Sequence, residues 1–112
     1  MNTKQIVITG GLGFIGSNFA NYLDKKLKNY QIIIFDKSKI NKRKNEKYLK
    51  SKNNKFIIIN SNTINIEKRL FKFKNIEAVF HFGEFSRIVQ SFKYEKECFF
   101  SNILGTYNVL KF

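Results

Sequence analysis

The stretch Thr9-Gly10-Gly11-Leu12-Gly13-Phe14-Ile15-Gly16 spaces its glycines as a phosphate-cradling turn requires. A glycine at the start of such a turn supplies backbone angles that residues with side chains resist. Gly13 then lets the backbone approach a pyrophosphate closely, and Gly16 lets the following helix pack against the preceding strand. The helix that opens here would point unpaired N–H groups and a partial positive charge at the phosphates. Asp36 follows Gly16 by 20 residues, at the end of a second apolar run. A carboxylate there accepts hydrogen bonds from both hydroxyls of an adenine ribose and repels a 2′-phosphate, so the pattern favours NAD as cofactor, with NADP less favoured. Lys37 and Arg43 are the nearby cations that count toward NADP.

Other chemically capable residues are few. His81 ends an apolar run with no partner suggested by spacing, and is expected to be a packed structural histidine rather than an acid or base. Cys98 is the only cysteine, which leaves no intramolecular disulfide, too few thiolates for a cysteine-rich metal site and an inert thiol as the expected role. Ser86, Arg87 and Ser91 read nearly as well as a solvated loop as they do as phosphate contacts.

Four short runs would have to position these groups: Gln5 to Thr9, Gln31 to Phe35, Phe56 to Asn60 and Ile76 to Phe82. Each is nearly continuous in Ile, Val and Phe, as expected of parallel strands covered on both faces. Between the first two, Ile15, Phe19, Leu23 and Leu27 recur every four residues over Phe14 to Lys28, with Asp24, Lys25, Lys26 and Lys28 falling elsewhere, which predicts an amphipathic helix. Lys37 to Lys55 carries nine basic residues against one acidic one and reads as an exposed loop with at most a helical turn. Asn65 to Phe73 predicts a short helix capped by Asn65 with Glu67 in its first turn, and Ser91 to Phe112 carries a stronger helical pattern from Cys98 onward. Alternating strands and helices give an α/β fold, a Rossmann-like parallel sheet of order 3-2-1-4 flanked by helices, in one domain over residues 1–112.

Composition narrows the classes further. Hydrophobic residues make up 43% of the 112, enough for one core. No apolar run approaches the ~20 residues of a membrane-spanning helix, and no secretory signal opens the chain, so a cytoplasmic location with no membrane partner is expected. The net charge of +13 comes from 18 Lys and only 3 Arg. Base readers lean on Arg for bidentate contacts, so no specific nucleic acid is expected, although weak non-specific binding at low salt is.

The motif Thr9 to Ser17 resembles the Thr-Gly-x-x-Gly-x-x-Gly signature of the extended short-chain dehydrogenases, the NAD-dependent epimerase/dehydratase family. Val79-Phe80-His81-Phe82-Gly83 is similar to that family's fourth strand, and Asn102 to Leu110 to its Asn-x-x-Gly-Thr-x-Asn-Val-Leu helix. The resemblance implies that Gly10, Gly13, Phe14, Ile15 and Gly16 hold the pyrophosphate and Asp36 the adenine ribose. It further implies that Asn62 and Thr63 lie beside the adenine, that Phe82, Gly83 and Ser86 line the cleft, and that Asn102 faces the nicotinamide side. Asn62 replaces an aspartate usual in the family. Glu84 stands where a small residue is usual, so its carboxylate must point outward or pair with a cation such as Arg87.

By the same resemblance, the catalytic Tyr-x-x-x-Lys pair belongs beyond the helix at which this chain stops, so no catalytic residue is assigned. The expectation is an incomplete N-terminal portion of a nucleotide-sugar epimerase or dehydratase acting by transient hydride transfer at a sugar carbon, with a nucleotide sugar as partner of the full-length relative. The alternative is a catalytically inactive NAD-binding module, or fragment, that complements or regulates another chain. An unpartnered fourth strand adds self-association to the expectations. Tyr107 to Lys111 matches Tyr-x-x-x-Lys literally, yet a helical wheel begun at Phe99 puts Ile103, Tyr107 and Leu110 on one apolar face. Tyr107 is therefore expected to be a buried structural residue.

Overall fold

The computed structural model describes residues 3–38 and 46–112. Its strands are β1 (Lys4–Thr9), β2 (Tyr30–Asp36), β3 (Lys55–Asn60) and β4 (Ile76–His81), all parallel, in the order β3-β2-β1-β4. Helix α1 (Phe14–Lys26) crosses from β1 to β2, and a 3-10 turn (Thr63–Asn65) followed by α2 (Ile66–Leu70) crosses from β3 to β4. After β4 come α3 (Ile88–Lys93), α4 (Glu95–Phe99), a π-helical stretch (Phe100–Gly105) and α5 (Thr106–Lys111). Among the described residues no helix is long and apolar enough to cross a membrane.

The unbroken apolar runs are shared out between two cores. Ile6, Ile8, Ile32 and Ile34 face α1 and pack with Leu12, Ala20 and Leu23. Val7, Ile33, Phe35 and Ile59 face the other way and meet Ile66 and Leu70 of α2. Side chains alternate across a strand, so a strand covered on both faces needs an apolar residue at every position, and Ile32 to Phe35 are all fully buried. In-register pairing places Val7 opposite Ile33, and Ile33 opposite Ile57.

Several local expectations need correction. The first helix ends at Lys26, where the Leu27 N–H closes on the Leu23 carbonyl at 2.8 Å and Asn29 takes a left-handed turn at φ 65°. Asparagine tolerates that region better than most residues. Asp24 does not lie on the solvent face with its lysine neighbours: it is 1% exposed. Asn65 precedes α2 without a side-chain capping bond, and Asn62 instead caps the 3-10 turn, its Oδ1 accepting the Ile64 N–H at 3.2 Å. Among the described residues of the basic loop Glu46–Tyr48 form a helical turn, and Arg43 lies outside the described residues. The terminal segment breaks at Tyr94, between α3 and α4, and from Glu95 the helix runs on through the π-helical stretch into α5. Tyr107 is not buried: it is 60% exposed, beside Ile103 and Leu110 on a face that no described element covers.

Candidate functional site: a dinucleotide-shaped cleft

The carboxyl ends of the parallel strands open onto a cleft of about 450 Å³. Ligands of open parallel sheets sit at this position because loops diverge there and helix N-termini converge. Gly10, Gly13, Phe14, Ile15, Gly16, Asp36, Asn62, Thr63, Phe82, Gly83 and Ser86 all line it, so every expected cofactor residue except Asn102 is brought to one place.

The turn from β1 into α1 is tightly folded. Gly10 has φ 65°, and a Cβ there would stand 2.7 Å from the Phe82 carbonyl carbon, so β1 and β4 approach too closely for a side chain. The Gly13 N–H closes on the Gly10 carbonyl at 3.0 Å, and Gly13 caps α1 without using a side chain. The N–H groups of the first turn of this 13-residue helix therefore face the cleft with the helix's partial positive charge behind them. A Cβ on Gly16 would overlap the Gly10 carbonyl oxygen, which fixes how close the helix stands to its own turn.

Asp36 is buried at the end of β2 and held by two backbone donors: the Leu12 N–H reaches its Oδ2 at 3.0 Å and the Ser38 N–H its Oδ1 at 2.8 Å. Each oxygen keeps lone-pair capacity for a diol at the cleft. The carboxylate is thus oriented before a ligand arrives. Lys37 carries its ammonium 5.9 Å from the centroid of the Phe85 ring.

On the far side, one hydrogen-bond chain ties β1, β4 and α5 together. The Gly83 N–H donates to Thr9 Oγ1 at 3.1 Å, and Thr9 Oγ1 stands 2.6 Å from His81 Nδ1. His81 Nε2 lies 3.2 Å from Glu84 Oε1 and 3.1 Å from Thr106 Oγ1, and Thr106 Oγ1 donates to Glu84 Oε1 at 2.7 Å. The tautomer that satisfies all of these places the ring proton on Nε2, with the Thr9 hydroxyl donating to Nδ1. Spacing suggests no partner for His81, yet both its ring nitrogens have one. Glu84, which lines the cleft, pairs with His81 and Thr106.

Asn102 stands behind the cleft rather than in it. Its Oδ1 accepts the Phe85 N–H at 2.6 Å and its Nδ2 donates to the Phe85 carbonyl at 2.9 Å, so both ends of the amide clamp the 82–86 loop from the π-helical stretch. Its neighbour Ser101, 5% exposed, lines the cleft in its stead. The sequence reading missed Ser101 because the recognisable Asn-x-x-Gly-Thr pattern begins one residue later. It also missed Ser61 and Ser38, whose small polar side chains carry no distinctive spacing.

Comparison with known proteins agrees with this geometry. The NAD dependent epimerase/dehydratase family matches residues 6–112. The dTDP-D-glucose 4,6-dehydratase of Dictyostelium discoideum is 37% identical over 110 residues, which is 96% of this chain and 25% of that protein. A UDP-N-acetylglucosamine 4-epimerase from Methanobrevibacter ruminantium, solved with UDP-N-acetylmuramic acid, superposes with a TM-score of 0.72 at 27% identity, covering 98% of this chain and 34% of that one. The UDP-glucose 4-epimerase of Brucella ovis, solved in complex with NAD, shares the fold at TM-score 0.70 and 19% identity, over 96% of this chain and 31% of that one. The chain thus spans about a quarter to a third of the length of these relatives. A glycine turn, a carboxylate anchored at the end of β2 and a parallel sheet of order β3-β2-β1-β4, in one chain matched from residue 6 to 112, place it in the NAD dependent epimerase/dehydratase family.

Proposed function

We propose that the chain binds NAD in this cleft and forms the nucleotide-binding portion of a cytoplasmic nucleotide-sugar epimerase or dehydratase. The observation that carries this reading is the convergence of the α1 N-terminus and the doubly anchored Asp36 carboxylate on a single cleft. The nicotinamide cofactor, when bound, supplies transient hydride acceptance and return at a sugar carbon. The protein's own part is binding and orientation. Backbone N–H groups of Phe14 and Ile15 hold the pyrophosphate, Asp36 holds the adenine ribose, Asn62 and Thr63 border the adenine, and Phe82, Gly83, Ser86 and Ser101 close the other side. Tyr107 is assigned no catalytic role here: it is 60% exposed and outside the lining of the cleft.

NAD should bind more tightly than NADP, because Asp36 accepts from both ribose hydroxyls and repels a 2′-phosphate. Loss of hydrogen bonds to a charged group costs about 1.5–3 kcal/mol, so Asp36→Ala should weaken NAD roughly ten- to a hundredfold and narrow the preference. Calorimetric titration with both cofactors reads this directly. Equal or tighter NADP binding by the unsubstituted chain would overturn the assignment.

The same reading includes self-association. β4 has β1 on one side and no strand on the other among the described residues, and an open strand edge is a template for pairing. Sedimentation velocity should show a coefficient that rises with protein concentration, and a single monomeric species across the range would contradict it.

A further inference from the structure

On the outer side of α1, that helix and the segment 48–52 enclose a second concavity of about 800 Å³ whose walls include Tyr22, Lys25, Tyr48, Lys50 and Lys52. Its shape is fixed in advance. Asn21 donates through Nδ2 to the Tyr48 carbonyl at 2.7 Å and accepts the Lys50 N–H at 2.8 Å. One helical turn later, Asp24 accepts the backbone N–H groups of Lys52, Asn53 and Asn54 at 2.9, 3.1 and 2.9 Å. Asp24 is the acidic side chain among the walls, and it is turned inward onto those donors. The ammonium groups of Lys25, Lys50 and Lys52 have no carboxylate partner among the described residues. Tyr22 and Tyr48 are each 53% exposed, and Lys26 and Lys47 lie 5.7 and 5.1 Å from their ring centroids.

We infer that this cleft binds single-stranded nucleic acid without reading its sequence. Three unpaired ammonium groups neutralise phosphates, and the half-exposed Tyr48 ring offers a face on which a base stacks, while Tyr22, already stacked on Phe19 at 6.2 Å, walls the groove. Charge with an aromatic platform is the combination that single-strand binders use. Among the described residues the wall holds no Arg to read a guanine edge bidentately, and stacking with phosphate contacts tolerates any sequence. A duplex hides its base faces and gains only the phosphate contacts. This groove adjoins the dinucleotide cleft, Phe14 lining both, and its lysines and tyrosines lie outside that cleft's lining.

The test is fluorescence anisotropy of a labelled thymidine strand of about 15 nucleotides titrated with the whole chain at about 50 mM salt. The triple variant Lys25→Gln/Lys50→Gln/Lys52→Gln should weaken binding by about tenfold or more and flatten the salt dependence. A matched triple on the opposite face of the sheet, Lys68→Gln/Lys72→Gln/Lys74→Gln, removes the same formal charge and should weaken it less than about threefold. Tyr48→Ala should weaken it roughly tenfold with the salt dependence unchanged, as expected for lost stacking. NAD affinity, measured in parallel, should be the same in the lysine variants as in the parent chain. Equal losses from the two lysine triples would reduce the effect to bulk charge and overturn the proposal. So would a duplex bound as well as the single strand, or displacement of the strand by NAD.

Discussion

Gly16→Ala is expected to abolish measurable dinucleotide binding and to lower stability by about 2–3 kcal/mol, the upper range for forcing an extra methyl into a packed site. The added Cβ would overlap the Gly10 carbonyl oxygen and stand 2.8 Å from the Gly10 carbonyl carbon and Gly11 Cα. All three are backbone atoms in the tightest part of the turn, so no side chain can swing away to make room. Either α1 moves off the turn or the turn unfolds from β1, and both remove the N–H groups from the phosphate position. Gly13→Ala is the informative comparison, since its Cβ would meet a single atom, the Gly10 carbonyl oxygen, at 3.2 Å. It should cost far less stability while still obstructing the pyrophosphate. Thermal denaturation should therefore show a drop of roughly 10 °C for Gly16→Ala and a much smaller one for Gly13→Ala. A Gly16→Ala chain with parental melting temperature and NAD affinity would refute this account of the turn.

Asp24→Asn should destabilise the fold by about 3 kcal/mol, because it breaks a buried hydrogen-bonded charge and turns an amide N–H₂ toward backbone donors. Burial by itself would raise the Asp24 carboxyl. The backbone N–H of Lys52, the side chain of Asn54 and the backbone N–H groups of Asn53 and Asn54 outweigh it and hold the group below its ordinary value. A carboxyl lowered by folding contributes stability that is fully present above its unfolded value of about 3.9 and is lost as pH falls through the folded value. Denaturant unfolding across acidic pH should accordingly show a steep loss below about pH 4 in the parent chain and a shallower one in Asp24→Asn. Parallel pH profiles in the two proteins would show that the donors around Asp24 do not stabilise its charge.

Why Asp24 escaped the sequence reading is instructive. Its donors lie 28 to 30 residues away in a lysine-rich segment, and no local pattern announces a bond of that span. Around it, Lys25 and Lys26 behave as the helical pattern predicts and stay exposed. The glycine turn and Asp36 were legible because each states a backbone or charge requirement that few other residues meet. The strands were legible because double burial demands an apolar residue at every position, and Ile32 to Phe35 supply one. The terminal helices were legible only in part. The wheel begun at Phe99 grouped Ile103, Tyr107 and Leu110 correctly, but an apolar stripe says nothing about whether a partner covers it. The π-helical stretch also widens the turn between Phe99 and Tyr107, which shifts the phase on which the wheel relied. Asn102 is expected on the terminal helical segment and at the nicotinamide side, and a motif identifies the residue without showing that Phe85 takes both ends of its amide.

The uneven burial of the two ends of the chain sets the order in which it opens. Ile32 to Phe35 of β2 are flanked by strands on both sides and shielded above and below, so their amides lose protection only when the whole sheet comes apart. Ile88, Val89 and Phe92 of α3 are 77%, 84% and 82% exposed, and little tertiary burial opposes the fraying of that helix. The Asn102 clamp and the Thr106–His81 contact mark where this loosely held region meets the firm one. Opening that begins at α3 reaches the 82–86 wall of the cleft before it reaches Asp36, so the Asp36 side of the cleft persists as a formed surface after the other side has come loose.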